Sequence, residues 1–256
     1  MKKRIINISA IIFAGLFFVY LSAQINSWNQ EPAEKTSPHQ AIIGNNKAGS
    51  SSGQEKEARV TVAVPHDIPV LVNKDFILPA NYQPTDLIYP DVPFLFEEKI
   101  EKRMLRREAA HALEMLFQAA RNDGLYLAGV SAYRSHATQK KIYQNNIERD
   151  GVKLAATYSA SPGTSEHQTG LAIDVSGSSG TCATVDCFGG TKEAEWLANH
   201  AHEHGFIIRY PKGKQHVTGY KYEPWHLRYV GTEIAQELFS NGITLEEFSD
   251  AVPVSK

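Results

Sequence analysis

Apolar and polar positions divide the chain into short elements separated by strong stop signals. Over residues 96–122, Ile100, Leu105, Ala109, Leu113, Leu116, Phe117 and Ala120 recur at helical spacing, and Asn122-Asp123-Gly124 ends the run. Residues 125–130 read as a short strand, with Ser131-Ala132-Tyr133-Arg134-Ser135 as its exit. Ser135 has the chemistry of an N-cap for a second helix through residue 148 or 149, which Gly151 stops. A short apolar strand follows Gly170 over residues 171–175. A helix over 192–204 ends at Gly205. Residues 206–210 and 216–222 resemble two strands joined by a Pro-Lys-Gly-Lys turn, and a last helix over 233–239 stops at Asn241-Gly242. Helices and strands mix without repeated βαβ units. The expected class is therefore α+β, a small mixed sheet with flanking helices.

Before residue 59 the pattern changes. Lys2, Lys3 and Arg4 precede an uncharged apolar run over residues 5–23, the arrangement of an export signal with its basic end left inside. The run exceeds the ~7–15 residues of a signal-peptide core and approaches the ~20 that span a bilayer. Leu21-Ser22-Ala23 is a mediocre cleavage triplet because Leu21 is not small, and Gln24 stands where a lipoprotein needs Cys. Segment 1–23 is thus read as a signal peptide or membrane anchor, its length favouring an uncleaved anchor. Residues 24–58, rich in Ser, Gly, Asn, Gln, Pro and Lys, cannot bury enough apolar surface to order themselves and read as a flexible linker. The domain is expected over 59–250. It begins with RVTVAV and continues through the extended LVNKDFILPANYQPTDLIYP.

Composition narrows the classes further. The 256 residues carry a net charge of -2, with a pI near 6.6, so no basic excess points to nucleic acid. The two cysteines, Cys182 and Cys187, lie in TCATVDCFGG. In an exported chain such a close pair reads as a small-loop disulfide; for a second zinc site, two sulfurs without nearby histidines are too few.

Candidate chemistry concentrates in SEHQTGLAID (165–174) and EPWH (223–226). His167 lies in a Ser/Gly/Thr-rich loop and not on an apolar helical face. Asp174 ends an apolar strand, where a buried carboxylate needs a partner that a metal supplies. With His226 they make three nitrogen and oxygen ligands for a catalytic zinc with one open position, one ion per chain. Glu223 is the carboxylate that takes a proton from water. Pro224 keeps Glu223 extended, so EPWH is presented from strand or turn. Trp225 fits core packing or a pocket wall equally well. Arg134, with Gln139 five residues on, suits a carboxylate or oxyanion at a strand exit. His200, His202 and His204 form HAHEH, but without HExxH a helix terminus that favours histidine explains them. His216 stands as a candidate outer group for the site.

The stretches LVNKDFILPANYQPTDL, SAYRSHATQKKIY, SASPGTSEHQTGLAIDV, GFIIRYP and EPWHLRYVG together resemble the zinc D-alanyl-D-alanine carboxypeptidases of the VanY type and the similar LD-carboxypeptidases of the LdcB/DacB type. The resemblance covers roughly residues 70–231, in the family's order. It implies zinc on His167, Asp174 and His226, Glu223 as general base, and Arg134 on the substrate carbonyl or carboxylate. It also implies that Gln139, Ser165, Tyr210 and Trp225 line the pocket, on a small α+β domain shared with hedgehog signalling domains. The implied substrate is the peptidoglycan stem peptide, trimmed of its C-terminal D-alanine by a monomer outside the cytoplasm. D,D activity is the first expectation and L,D activity the alternative; a non-catalytic wall-binding module that keeps zinc only structurally is remote. The cysteine-bearing TCATVDCFGG departs from the pattern and is a candidate for the pocket's rim.

Overall fold

The computed structural model describes residues 59–250. The expected export signal or anchor at 1–23 and linker at 24–58 lie outside the described residues, among which no helix is long and apolar enough to cross a membrane. The strands are β1 (Val60–Thr61), β2 (Phe76–Ile77), β3 (Leu87–Ile88), β4 (Leu105–Arg106), β5 (Leu127–Ser131), β6 (Ala172–Gly177), β7 (Phe206–Tyr210) and β8 (Glu223–Tyr229). The helices are α1 (Arg107–Asn122), α2 (His136–Tyr158), α3 (Lys192–His200), α4 (Gln215–Thr218), α5 (Thr232–Asn241) and α6 (Leu245–Phe248).

The centre is a four-stranded sheet in the order β5-β6-β8-β7. All three of its strand pairings are antiparallel, which corrects the expected mixed sheet; among the described residues, parallel pairing is confined to β1 with β2, outside it, and a single bridge from Phe94 to Gly129 of β5 at its edge. Alternation along β6 and β8 sorts the residues by face. Ile173 pairs with Leu227, and both belong to the apolar core together with Val175, Leu113 and Leu116 of α1, and Leu197 of α3. Asp174 pairs with His226 on the opposite face. Every residue of β6 and β8 is buried, so that second face is covered as well.

Two elements depart from the periodicity. The first long helix begins at Arg107, well after residue 96, because Leu105 and Arg106 pair with β3 and the Arg106 N–H donates to the Gly170 carbonyl at 2.8 Å. Tertiary pairing thus overrides helical spacing, and Ile100, counted in that stripe, is exposed. Residues 216–222 do not form a strand. Residues 215–218 make the short α4, closed by Gly219 at φ 75°, and the strand facing β7 starts at Glu223. Ser135 caps α2 as expected, accepting from the Thr138 N–H at 3.3 Å. Gly151 (φ 78°, ψ 159°) breaks the helix there, and helical turns resume to Tyr158.

Candidate metal centre and substrate groove

His167 sits in a 3-10 turn, Glu166–Thr169, all of it buried. Gly170 (φ 69°) closes the turn; a Cβ at that position would lie 2.8 Å from the Leu87 side chain. The exit of β5 is laced to the same turn. Arg134 N–H donates to the His167 carbonyl at 3.2 Å, and His167 Nδ1 lies 2.7 Å from the Ala132 carbonyl oxygen. That contact turns Nε2 toward Asp174, with Oδ2 at 3.4 Å. Across the ladder, His226 Nδ1 is 3.1 Å from Asp174 Oδ1. One donor atom from each of His167, Asp174 and His226 falls within 4.8 Å of the others.

Glu223 arrives by a different device. Residues three apart on a regular strand point to opposite faces, yet Glu223 Oε2 lies 3.9 Å from His226 Nδ1. The β7–β8 register supplies the reason. Ile208 faces Leu227 while Tyr210 faces Glu223, so β8 carries two more residues than β7 over this stretch. Such an irregularity re-aims a side chain beside a functional site.

The electrostatics fit a cation at this point. Burial works against the charge of Asp174, but His167 and His226 hold its carboxyl well below the usual range. Burial also opposes a charged His226, which contacts with Asp174 and Glu166 nonetheless raise to about 9. Burial pushes Glu223 up to about 7, with Asp174 adding to the effect and His226 opposing it. Both imidazoles turn a nitrogen inward while the outer nitrogen faces a protein oxygen, as ligating histidines do. Two imidazoles and a carboxylate form a donor set that zinc takes when a fourth position stays open.

A groove of about 530 Å³ passes the cluster, lined by Arg134, Gln139, Ser165, Tyr210, Glu223 and Trp225. Arg134 Nη1 donates to Gln139 Oε1 at 2.8 Å, Gln139 Nε2 donates to the Ala160 carbonyl at 2.6 Å, and Arg134 Nη2 lies 3.8 Å from Asp174. The guanidinium is therefore held beside the donor cluster. The Tyr210 ring stands 5.0 Å from that of His226. Trp225 belongs to both the core and the groove wall. Cys182 and Cys187 are joined as a disulfide, and Thr184, between them, also lines the groove.

Among the described residues, the other histidines stay outside the groove lining. His200 stacks on Trp196 and His202 on Phe239. His216, the candidate outer group, is exposed on α4 and outside the groove lining, which corrects that expectation. Sequence reasoning passed over Glu166, Arg209, Arg228 and Glu246, whose side chains are buried behind the site. The available signal was an arginine inside each of the apolar strands FIIRY and EPWHLRY.

Three converging donors open to a groove, with a carboxylate beside them, are the arrangement expected of a mononuclear metallohydrolase. The chain belongs to the VanY D-alanyl-D-alanine carboxypeptidase family, whose model matches residues 102–232. It is similar to YodJ of Bacillus subtilis (strain 168), 50% identical over 192 residues, covering 75% of this chain and 70% of YodJ. Among solved structures, the LdcB LD-carboxypeptidase superposes with a TM-score of 0.73 at 48% identity, over 78% of this chain and 93% of LdcB. A mutant of the vancomycin-resistance D,D-pentapeptidase VanY in complex with Zn(II) gives a TM-score of 0.57 at 33% identity, over 71% of this chain and 98% of that one.

Proposed function

We propose that this protein is a zinc carboxypeptidase that removes the C-terminal D-alanine from peptidoglycan stem peptides outside the cytoplasmic membrane. The observation that carries the proposal is the convergence of His167, Asp174 and His226 next to Glu223, in one groove with Arg134. In this reading the three converging residues hold zinc. The chemistry a zinc ion supplies in such a site is Lewis acidity toward a carbonyl oxygen and a fall in the pKa of water from about 15.7 to about 7.

The chain's own residues do the rest. Glu223 takes the proton from the attacking water and returns it to the amine as the peptide bond breaks, a role suited to a carboxylate poised near neutral pH. Arg134, braced by Gln139, receives the negative charge of the carbonyl oxygen or of the terminal carboxylate. Trp225 and Tyr210 wall the groove. The family supports D,D activity on stems ending in D-alanyl-D-alanine. A second reading, L,D activity on tetrapeptide stems, is favoured by the higher identity and TM-score of LdcB.

The test is zinc content followed by mass spectrometry of the products from matched penta- and tetrapeptides. Loss of one D-alanine from either supports the reading and assigns the specificity. A zinc-loaded chain that cleaves neither refutes it.

A further inference from the structure

Behind the proposed metal site lies a cluster of four ionised side chains, Glu166, Arg209, Arg228 and Glu246, each with no exposed surface on its side chain. Taking charges out of water costs several kcal/mol per ion unless each finds good partners. Here two positive and two negative groups balance. Arg209 Nε donates to Glu166 Oε1 at 2.7 Å, and Arg228 Nη1 donates to the same oxygen at 2.7 Å. Arg209 is clamped from its other side by Glu246, at 2.8 and 2.6 Å. Arg228 is held by the carbonyls of Ile68 and Val70, at 2.8 and 2.7 Å.

The two oxygens of Glu166 are used unequally. Oε1 takes both guanidiniums, whereas Oε2 is buried with no hydrogen bond of its own and lies 3.5 Å from His226 Nε2. His226 Nε2 is likewise buried and unsatisfied. These two orphans face each other at the outer limit of a hydrogen bond. The other nitrogen of the same ring, Nδ1, is the one that faces Asp174.

We infer that Glu166 is a positioning residue: its Oε2 accepts from His226 Nε2–H and so keeps the Nδ1 lone pair aimed at the metal site. This rests on the metal-site reading above and adds a residue to it. Ring tautomer in a ligating histidine is set by the hydrogen bond of its outer nitrogen. Because Arg209 and Arg228 saturate Oε1, the carboxylate cannot rotate to present anything but Oε2. One 3-10 turn therefore serves both histidines, His167 by contributing its own ring and Glu166 by orienting the ring of His226.

Glu166→Gln tests this with nearly unchanged shape. An amide in this slot either points its NH2 at His226 Nε2, favouring the Nδ1–H tautomer that has no lone pair for the metal, or turns that NH2 against two guanidiniums. Zinc affinity, measured by competition with a chromophoric chelator, is expected to fall about 10–100-fold. Glu246→Gln, which perturbs Arg209 but touches no imidazole, is expected to stay within about threefold of wild type. Nitrogen-15 NMR of the zinc-loaded wild-type chain is expected to show His226 protonated at Nε2 and metallated at Nδ1, a readout that stands even if a variant does not fold. Metallation through Nε2, unchanged affinity in Glu166→Gln, or an equal loss in Glu246→Gln overturns the inference. A wild-type chain that takes up no zinc refutes the metal-site reading itself, which keeps the two failures distinct.

Discussion

Replacing Glu223 by glutamine should sharply reduce turnover, keep zinc and make the metal-free protein more stable. The last effect follows from burial. Glu223 is 8% exposed, and its surroundings lift its pKa from 4.5 to about 7. Each tenfold change in proton affinity is about 1.4 kcal/mol, so holding this carboxylate ionised in the fold costs roughly 3 kcal/mol. The sign follows from linkage. A folded-state pKa above the unfolded one means that stability is fully present below about pH 4.5 and is lost as pH rises through about 7. Glutamine never ionises and escapes the loss. Urea unfolding of chelator-treated wild type and Glu223→Gln should therefore agree near pH 4.5 and diverge by about 2–3 kcal/mol near pH 8, the variant being more stable. Zinc should remain bound at one per chain, because Glu223 is not among the three donors. Loss of a general base predicts a fall of about 10²–10⁴-fold in kcat. Identical stabilities at pH 8 would refute the burial argument, and near-full hydrolysis by the variant would refute the assignment of the base.

Arg134→Ala should retain zinc and lose about 10²–10³-fold in kcat, the range for one oxyanion donor; a loss below tenfold in a peptide assay would remove Arg134 from the mechanism. His226→Ala removes a donor and should lose both zinc and turnover, checked by metal analysis of the purified variant. Cys182→Ser opens a short loop whose closure is worth about 2 kcal/mol. Because Thr184 lines the groove, its KM should rise more than its kcat falls, and an unchanged KM would detach the loop from substrate binding. Burial opposes the charge on Glu166, yet Arg209 and Arg228 hold its carboxyl below the usual range. The unfolded chain takes up that proton first as pH falls, so the urea midpoint should drop below about pH 4.5. A flat midpoint down to about pH 3 would contradict this.

The donor set was legible in the sequence because its logic is local. His167 lies in the turn just before β6 and Asp174 within that strand, and His226 shares one tetrapeptide with Glu223, the proposed base. The α+β class, the helix caps and the disulfide pairing were legible for the same reason, since each depends on neighbours a few positions away. Three features required the structure. The start of α1 is set by pairing of Leu105 and Arg106 with distant β3. The strand edge at Glu223 is set by the short partner β7. The buried charges join residues 37 and 62 positions apart. An arginine in an apolar strand normally reads as solvent-facing, and only the sheet reveals that both faces of β8 are covered.

The surplus of two residues on β8 has a bearing on protein engineering. EPWH looks like a portable cassette, four consecutive letters holding the proposed ligand His226 and the proposed base Glu223. Transplanted onto a regular ladder it would split, with the imidazole on one side of the sheet and the carboxylate on the other. The unit that must travel is the pair of strands with its mismatched lengths, from Phe206 to Tyr210 and from Glu223 to Tyr229. A designer who repaired that mismatch for the sake of a cleaner sheet would take the proposed site apart without changing any of its residues.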